Sequence, residues 1–136
     1  MPDQYAGEVP ALFVVAAVGA ELDMAGLRQH LETHVHERPA WPRSIIKIDA
    51  LPVTAVGKLF KPALRDRAIT EKVRLEAERI CGSSVQVQAD VRLDERKRTL
   101  VEVTIAGATA EQAGELDAAL KPLPQTYVIR RTQGST

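Results

Sequence analysis

The hydrophobic positions along this chain change period several times, and each change marks an element. Residues 12–17 are short, apolar and partly β-branched, which predicts a buried strand. Asp23 precedes Met24, Leu27, Leu31 and Val35 at helical spacing, so a helix capped by Asp23 is expected. Arg38-Pro39-Ala40-Trp41-Pro42 stops it, because prolines cannot continue a helix. Residues 44–48 read as a second short strand. Residues 49–61 lose both periods and read as a loop or short hairpin. Pro62 suits a first helical turn, and Leu64, Ala68 or Ile69, Val73, Ala77 and Ile80 share one face of a long helix ending at Gly82.

Beyond it the period becomes two. Val85, Val87, Ala89, Val91 and Leu93 alternate with polar residues, Asp94-Glu95-Arg96-Lys97 makes a charged turn, and Val101, Val103 and Ile105 return. This predicts an antiparallel hairpin with one wet face. Thr109 with Gln112 fits a capping box opening a helix to Leu120, and residues 127–131 read as a last strand. Residues 1–9 read as a polar, turn-forming start and 134–136 as a frayed tail. The fold class is α+β in two lobes: residues 1–68, and a helix, hairpin, helix and strand over 69–136.

Composition narrows the function. The chain is 45% hydrophobic and 26% charged, as in globular proteins. Residues 1–68 carry eight charges of each sign and 69–136 ten of each, so neither half has the basic excess of a nucleic-acid or anionic-membrane binder. Aromatic residues make up 4%, too few for a base-stacking surface. The apolar run at 10–18 is far short of the ~20 residues that span a bilayer. No positive leader precedes it, so no signal peptide is expected. Cys81 is the single cysteine and has no partner for an internal disulfide, which fits a reducing, cytoplasmic setting.

One stretch carries chemistry: Leu51-Pro52-Val53-Thr54-Ala55-Val56-Gly57-Lys58-Leu59-Phe60-Lys61. A P-loop would need glycine where Pro52 stands and Ser or Thr where Leu59 stands, so a phosphate cradle is excluded. Gly57 allows a tight turn close to a ligand, and Pro52 restricts the approach. Lys58 can then project one positive charge toward a carboxylate and a phosphate together and offset charge in their reaction. Thr54 is expected to hydrogen-bond its own loop. Lys61 is a candidate second contact for a substrate.

The Leu-Pro-x-Thr-x-x-Gly-Lys pattern resembles the last motif of the adenylate-forming superfamily, which includes acyl-CoA synthetases, adenylation domains and luciferases. Gly7-Glu8-Val9-Pro10 before an apolar strand, the helix at 23–36 and the strand at 44–48 are similar to the stretch leading to that motif. Glu37-Arg38-Pro39-Ala40 and residues 55–65 look closest to bacterial fatty-acyl-CoA synthetases. The resemblance covers about residues 3–68. It implies the mobile C-terminal lid of an AMP-forming ligase that converts carboxylate, ATP and CoA to acyl-CoA, AMP and pyrophosphate. Lys58 would be the adenylation lysine. ATP, magnesium and CoA would serve the full enzyme, with none bound by this segment. The partner would be an N-terminal adenylation domain carrying the ATP and acyl sites, and the segment alone would be inactive. The alternative is a free-standing, non-catalytic binding or regulatory module with the same lid fold.

Other residues read more plainly. His30 and His34 lie four apart with His36 nearby, but no acidic or cysteine partner completes a metal set, so no metal is expected. Trp41 packs its loop or contacts the missing domain. Residues 69–136 resemble nothing with assigned chemistry; an oligomer or docking surface is expected there.

Overall fold

The computed structural model describes residues 1–133; the tail at 134–136 lies outside the described residues. The chain is α+β and divides into two compact units, one of Met1 with Glu8–Arg65, the other of Pro2–Gly7 with the chain from Asp66 onward.

The first residues are more ordered than their polar sequence predicts. Pro2–Asp3 (β1) pairs with Gly7–Glu8 (β2). Asp3 Oδ2 accepts from the Tyr5 and Ala6 amides and closes the turn between them.

In the first unit, Ala11–Val14 (β3) pairs in parallel with Ser44–Lys47 (β4), from Ala11 opposite Ser44 to Val14 opposite Lys47. The strand expected over 12–17 is therefore shorter and shifted. Its partner supplies only four residues, and beyond the Ile48 amide bonded to Val14 O the ladder has ended. β3 is also half-buried rather than buried, and Val15 beyond it is exposed. Met24–His34 forms α1, the crossover that a parallel pair requires. The Asp23 carboxylate accepts from the Gly26 amide at its start. The chain leaves α1 through a 3₁₀ turn at Arg38–Ala40, where the missing Pro39 donor costs nothing. Trp41 Nε1 donates to Val35 O at 2.7 Å, and the Arg38 guanidinium stands 5.7 Å from its ring centroid. Arg28 Nη1 donates to Pro42 O at 2.8 Å, tying α1 to the same loop.

Lys61–Cys81 forms α2, which begins in the first unit and runs into the second. Ala68, Ile69, Val73, Ala77 and Cys81 make its buried stripe, at the three- and four-residue steps of one helix face. Its outer face carries the ion pairs Lys72–Glu76, Glu71–Arg74, Arg74–Glu78 and Glu76–Arg79. Gln86–Leu93 (β5) and Thr99–Ala106 (β6) form the expected antiparallel hairpin, and Thr126–Thr132 (β7) adds parallel to β6. Ala110–Leu120 (α3) crosses over between the two parallel strands and starts in a complete Thr109–Gln112 capping box. β6 is central, so Val101, Val103 and Ile105 are fully buried, packed with Ile69, Val73, Ala77, Leu116, Leu120 and Leu123.

Candidate active-site loop

Residues 51–61 are a small hairpin. Val53 and Leu59 form an antiparallel bridge. The Thr54 amide donates to Lys58 O at 2.7 Å and the Phe60 amide to Pro52 O at 2.8 Å. Pro52 has no amide to return, so the ladder ends there. At the tip the Gly57 amide donates to Thr54 O at 2.9 Å, with Gly57 at φ 80°. This is the three-residue hairpin loop whose last position is left-handed, and glycine takes that position without strain. Thr54 Oγ1 accepts from the Lys58 amide at 3.2 Å, which braces the lysine's backbone from across the turn.

Alternation along the two short arms puts Pro52, Thr54, Lys58 and Phe60 on one face and Val53 and Leu59 on the other. Lys58 is exposed, as is every residue from Ala55 to Phe60. Lys58 and Lys61 make no ion pair among the described residues, and residues 51–61 contain no Asp or Glu. Lys61 opens α2 rather than lying on the hairpin. Two ammonium groups with no carboxylate fit phosphate and carboxylate oxygens. They do not fit magnesium, which takes oxygen ligands, so no step is assigned to that ion here.

The hairpin's exposed apolar surface has no counterpart in the reading from sequence. Leu51, Val53, Val56, Leu59 and Phe60 are all exposed, with Val56 at 80%. The first unit is thinly filled: α1 buries no residue, and Ile46 is its buried hydrophobic core residue among those described. Exposed apolar side chains on both faces of a small hairpin are surface that a partner can cover.

The other candidates stand apart. The His30 and His34 rings stack with centroids 4.1 Å apart, and His34 Nδ1 lies 2.9 Å from His30 O. No group of three His, Cys, Asp or Glu among the described residues can hold a metal. Burial, aided by the Glu115 charge, pushes the Cys81 thiol up and keeps it protonated. Burial likewise pushes the Tyr127 phenol up, and its hydroxyl donates to Gln125 Oε1 at 3.0 Å. No described helix is long and apolar enough to cross a membrane.

Comparison with known proteins gives one consistent answer. The chain is 32% identical over 111 residues to the marinolic acid–CoA ligase of Pseudoalteromonas sp., covering 82% of this chain and 17% of that protein. It is 39% identical over 75 residues to acyl-CoA ligase lcsD of Purpureocillium lilacinum, covering 52% and 19%. It is 37% identical over 68 residues to the 2-hydroxy-7-methoxy-5-methyl-1-naphthoate–CoA ligase of Streptomyces carzinostaticus, covering 50% and 12%. No family model matches the chain, and no solved structure matches it. A stretch of 111 residues in a chain of 136 necessarily takes in residues 26–111, so the first match includes the lysine hairpin and the β5–β6 hairpin. The chain spans less than a fifth of the length of the curated relatives it matches. It is therefore similar, over up to four-fifths of its own length, to a minor segment of CoA ligases that act on carboxylic acids.

Proposed function

We propose that this chain is the lysine-bearing C-terminal segment of an AMP-forming acyl-CoA synthetase, and that Lys58 serves its adenylation step. The observation that carries the reading is an exposed lysine, with no ion pair among the described residues, next to the turn of a braced hairpin inside the stretch similar to CoA ligases. In the first step a carboxylate oxygen attacks the α-phosphorus of ATP, the bond to pyrophosphate breaks, and an acyl-adenylate forms. The Lys58 ammonium would hold the carboxylate against the phosphate and offset the charge developing between them. In the second step the CoA sulfur attacks the acyl carbon and AMP leaves; Lys58 has no part in it.

The exposed apolar residues around Lys58 support a second requirement, a large adenylation domain against which the hairpin seats. That domain would carry the ATP and acyl pockets. Fatty acids are the proposed substrate class, on the wording of residues 37–40 and 55–65. The relatives are named for widely different acids, so a panel of carboxylic acids decides the class.

The test is pyrophosphate release by the complete enzyme, with and without Lys58→Ala. Loss on the order of 100- to 1000-fold in adenylate formation is expected, as for removal of one group that stabilises transition-state charge. Thioester formation from preformed acyl-adenylate should be unchanged. Undiminished pyrophosphate release by the variant would remove Lys58 from the reaction. The 136-residue chain alone should release none.

A further inference from the structure

Strand β5 is an edge of the three-stranded sheet, and of the usual devices that keep edges apart it carries only side-chain charges, one of each sign, Asp90 and Arg92. It pairs residue for residue with β6 over Gln86–Leu93, without a bulge, and contains no proline, lysine or glycine. The other edge, β7, carries Arg130 and Arg131 side by side, charges of one sign that repel a like strand.

The hydrogen-bond phase of β5 follows from the turn that ends it. The Asp94 amide donates to Arg98 O at 2.8 Å, so that pair is hydrogen-bonded, and bonded pairs alternate along an antiparallel ladder. Residues 86, 88, 90 and 92 therefore turn their backbone groups toward β6. Val87, Ala89, Val91 and Leu93 turn theirs outward.

The wet face of β5 holds an imbalance. Asp90 stands directly opposite Glu102, and like charges in that position repel. Glu102 is relieved by an ion pair with Arg92 and by Arg130 Nη2 at 3.8 Å. Asp90 receives only the Gln88 amide, at 3.3 Å, and makes no ion pair among the described residues. On the opposite face Leu93 is 64% exposed.

We propose that β5 pairs antiparallel with β5 of a second copy of this chain, on a two-fold axis at Val91, joining two sheets into one. That register sets Val91 opposite the second copy's Val91, and Ala89 opposite its Leu93, as hydrogen-bonded pairs. Between them Asp90 meets the second copy's Arg92 at the closely spaced, non-bonded position, where Cα atoms approach to about 4.5 Å. Symmetry makes the contact twice. The axis one step away, at Ala89, would give Asp90 only a glutamine, so the charges select Val91. The pairing uses residues 86–93 alone and does not depend on the role of Lys58.

The experiment is sedimentation equilibrium of the 136-residue chain over a wide concentration range. A dimer is expected, and Asp90→Arg, which opposes two guanidinium groups twice, should weaken it at least about tenfold. Combining Asp90→Arg with Arg92→Asp should restore it, since the swap keeps complementarity across the axis and leaves Glu102 a cation, now directly opposite it. Circular dichroism checks that the variants fold. If one does not, amide exchange on the wild type decides. Protection at Ala89, Val91 and Leu93 should rise with concentration. A monomer throughout, a dimer indifferent to Asp90→Arg, or concentration-independent exchange at these three amides would overturn the interface.

Discussion

Gly57 and Cys81 show what single residues contribute. At Gly57 a Cβ would meet nothing within 4 Å, so a side chain there is opposed only by the left-handed backbone. Gly57→Ala should therefore destabilise the hairpin by about 1 kcal/mol, the left-handed penalty of an L-residue, and Gly57→Asn by less. Faster amide exchange at Lys58 and Phe60 would report it. Cys81 poses the opposite case, a reactive group made inert by its surroundings. Its raised thiol pKa and burial predict slow alkylation at neutral pH in the folded chain and rapid alkylation once denatured. Equal rates in the two states would contradict the placement. Of the hairpin residues, Lys58, Gly57, Thr54 and Pro52 could be picked out from sequence by type and spacing. The exposure of Val56 and Phe60 could not, because an apolar residue in an aperiodic stretch reads equally as core or surface.

Helix α3 and helix α2 were legible to different depths. The capping box of α3 needs only Thr109 and Gln112 at the right spacing, and both reciprocal bonds form, at 3.1 and 2.9 Å. Thr109→Ala should cost about 1 kcal/mol in chemical denaturation. In α2 the apolar stripe was visible from its period, whereas the pairing of its charges depended on rotamers. Partial burial pushes the Glu76 carboxyl up, but hydrogen bonds from Lys72 and Arg79 outweigh it and hold the group below its ordinary value. A carboxylate lowered in this way adds stability above about pH 4.5, and that stability is lost as pH falls through the folded-state pKa. The thermal midpoint should therefore drop on acidification below that point, and Glu76→Gln should flatten the drop. The strand at 12–17 goes the other way: its apolar run predicts burial, but β3 is half-buried and pairs only over the four residues of β4.

For the whole molecule, the distribution of buried residues between the units matters most. The second unit holds a continuous core on β6, α2 and α3, and Leu116 within it is fully buried. Leu116→Ala should lower its stability by about 2–5 kcal/mol, the cost of a methylene deletion that leaves a cavity. Loss of exchange protection at Val101, Val103 and Ile105 would show it. The first unit has no comparable core, and Val53, Val56, Leu59 and Phe60 near Lys58 in sequence lie exposed.

Elements whose signals are local could be read from the residues alone: helix caps, periodic faces, the β5–β6 hairpin, and the lysine motif with its resemblance to adenylate-forming enzymes. These depend on neighbours one to four residues away, where backbone geometry dictates which side chains meet. Tertiary structure alone decided the parallel pairing of β3 with β4 and of β6 with β7, the central place of β6, and the imbalance at Asp90. Each depends on residues distant in sequence, and no period in the chain encodes which strand will lie beside which.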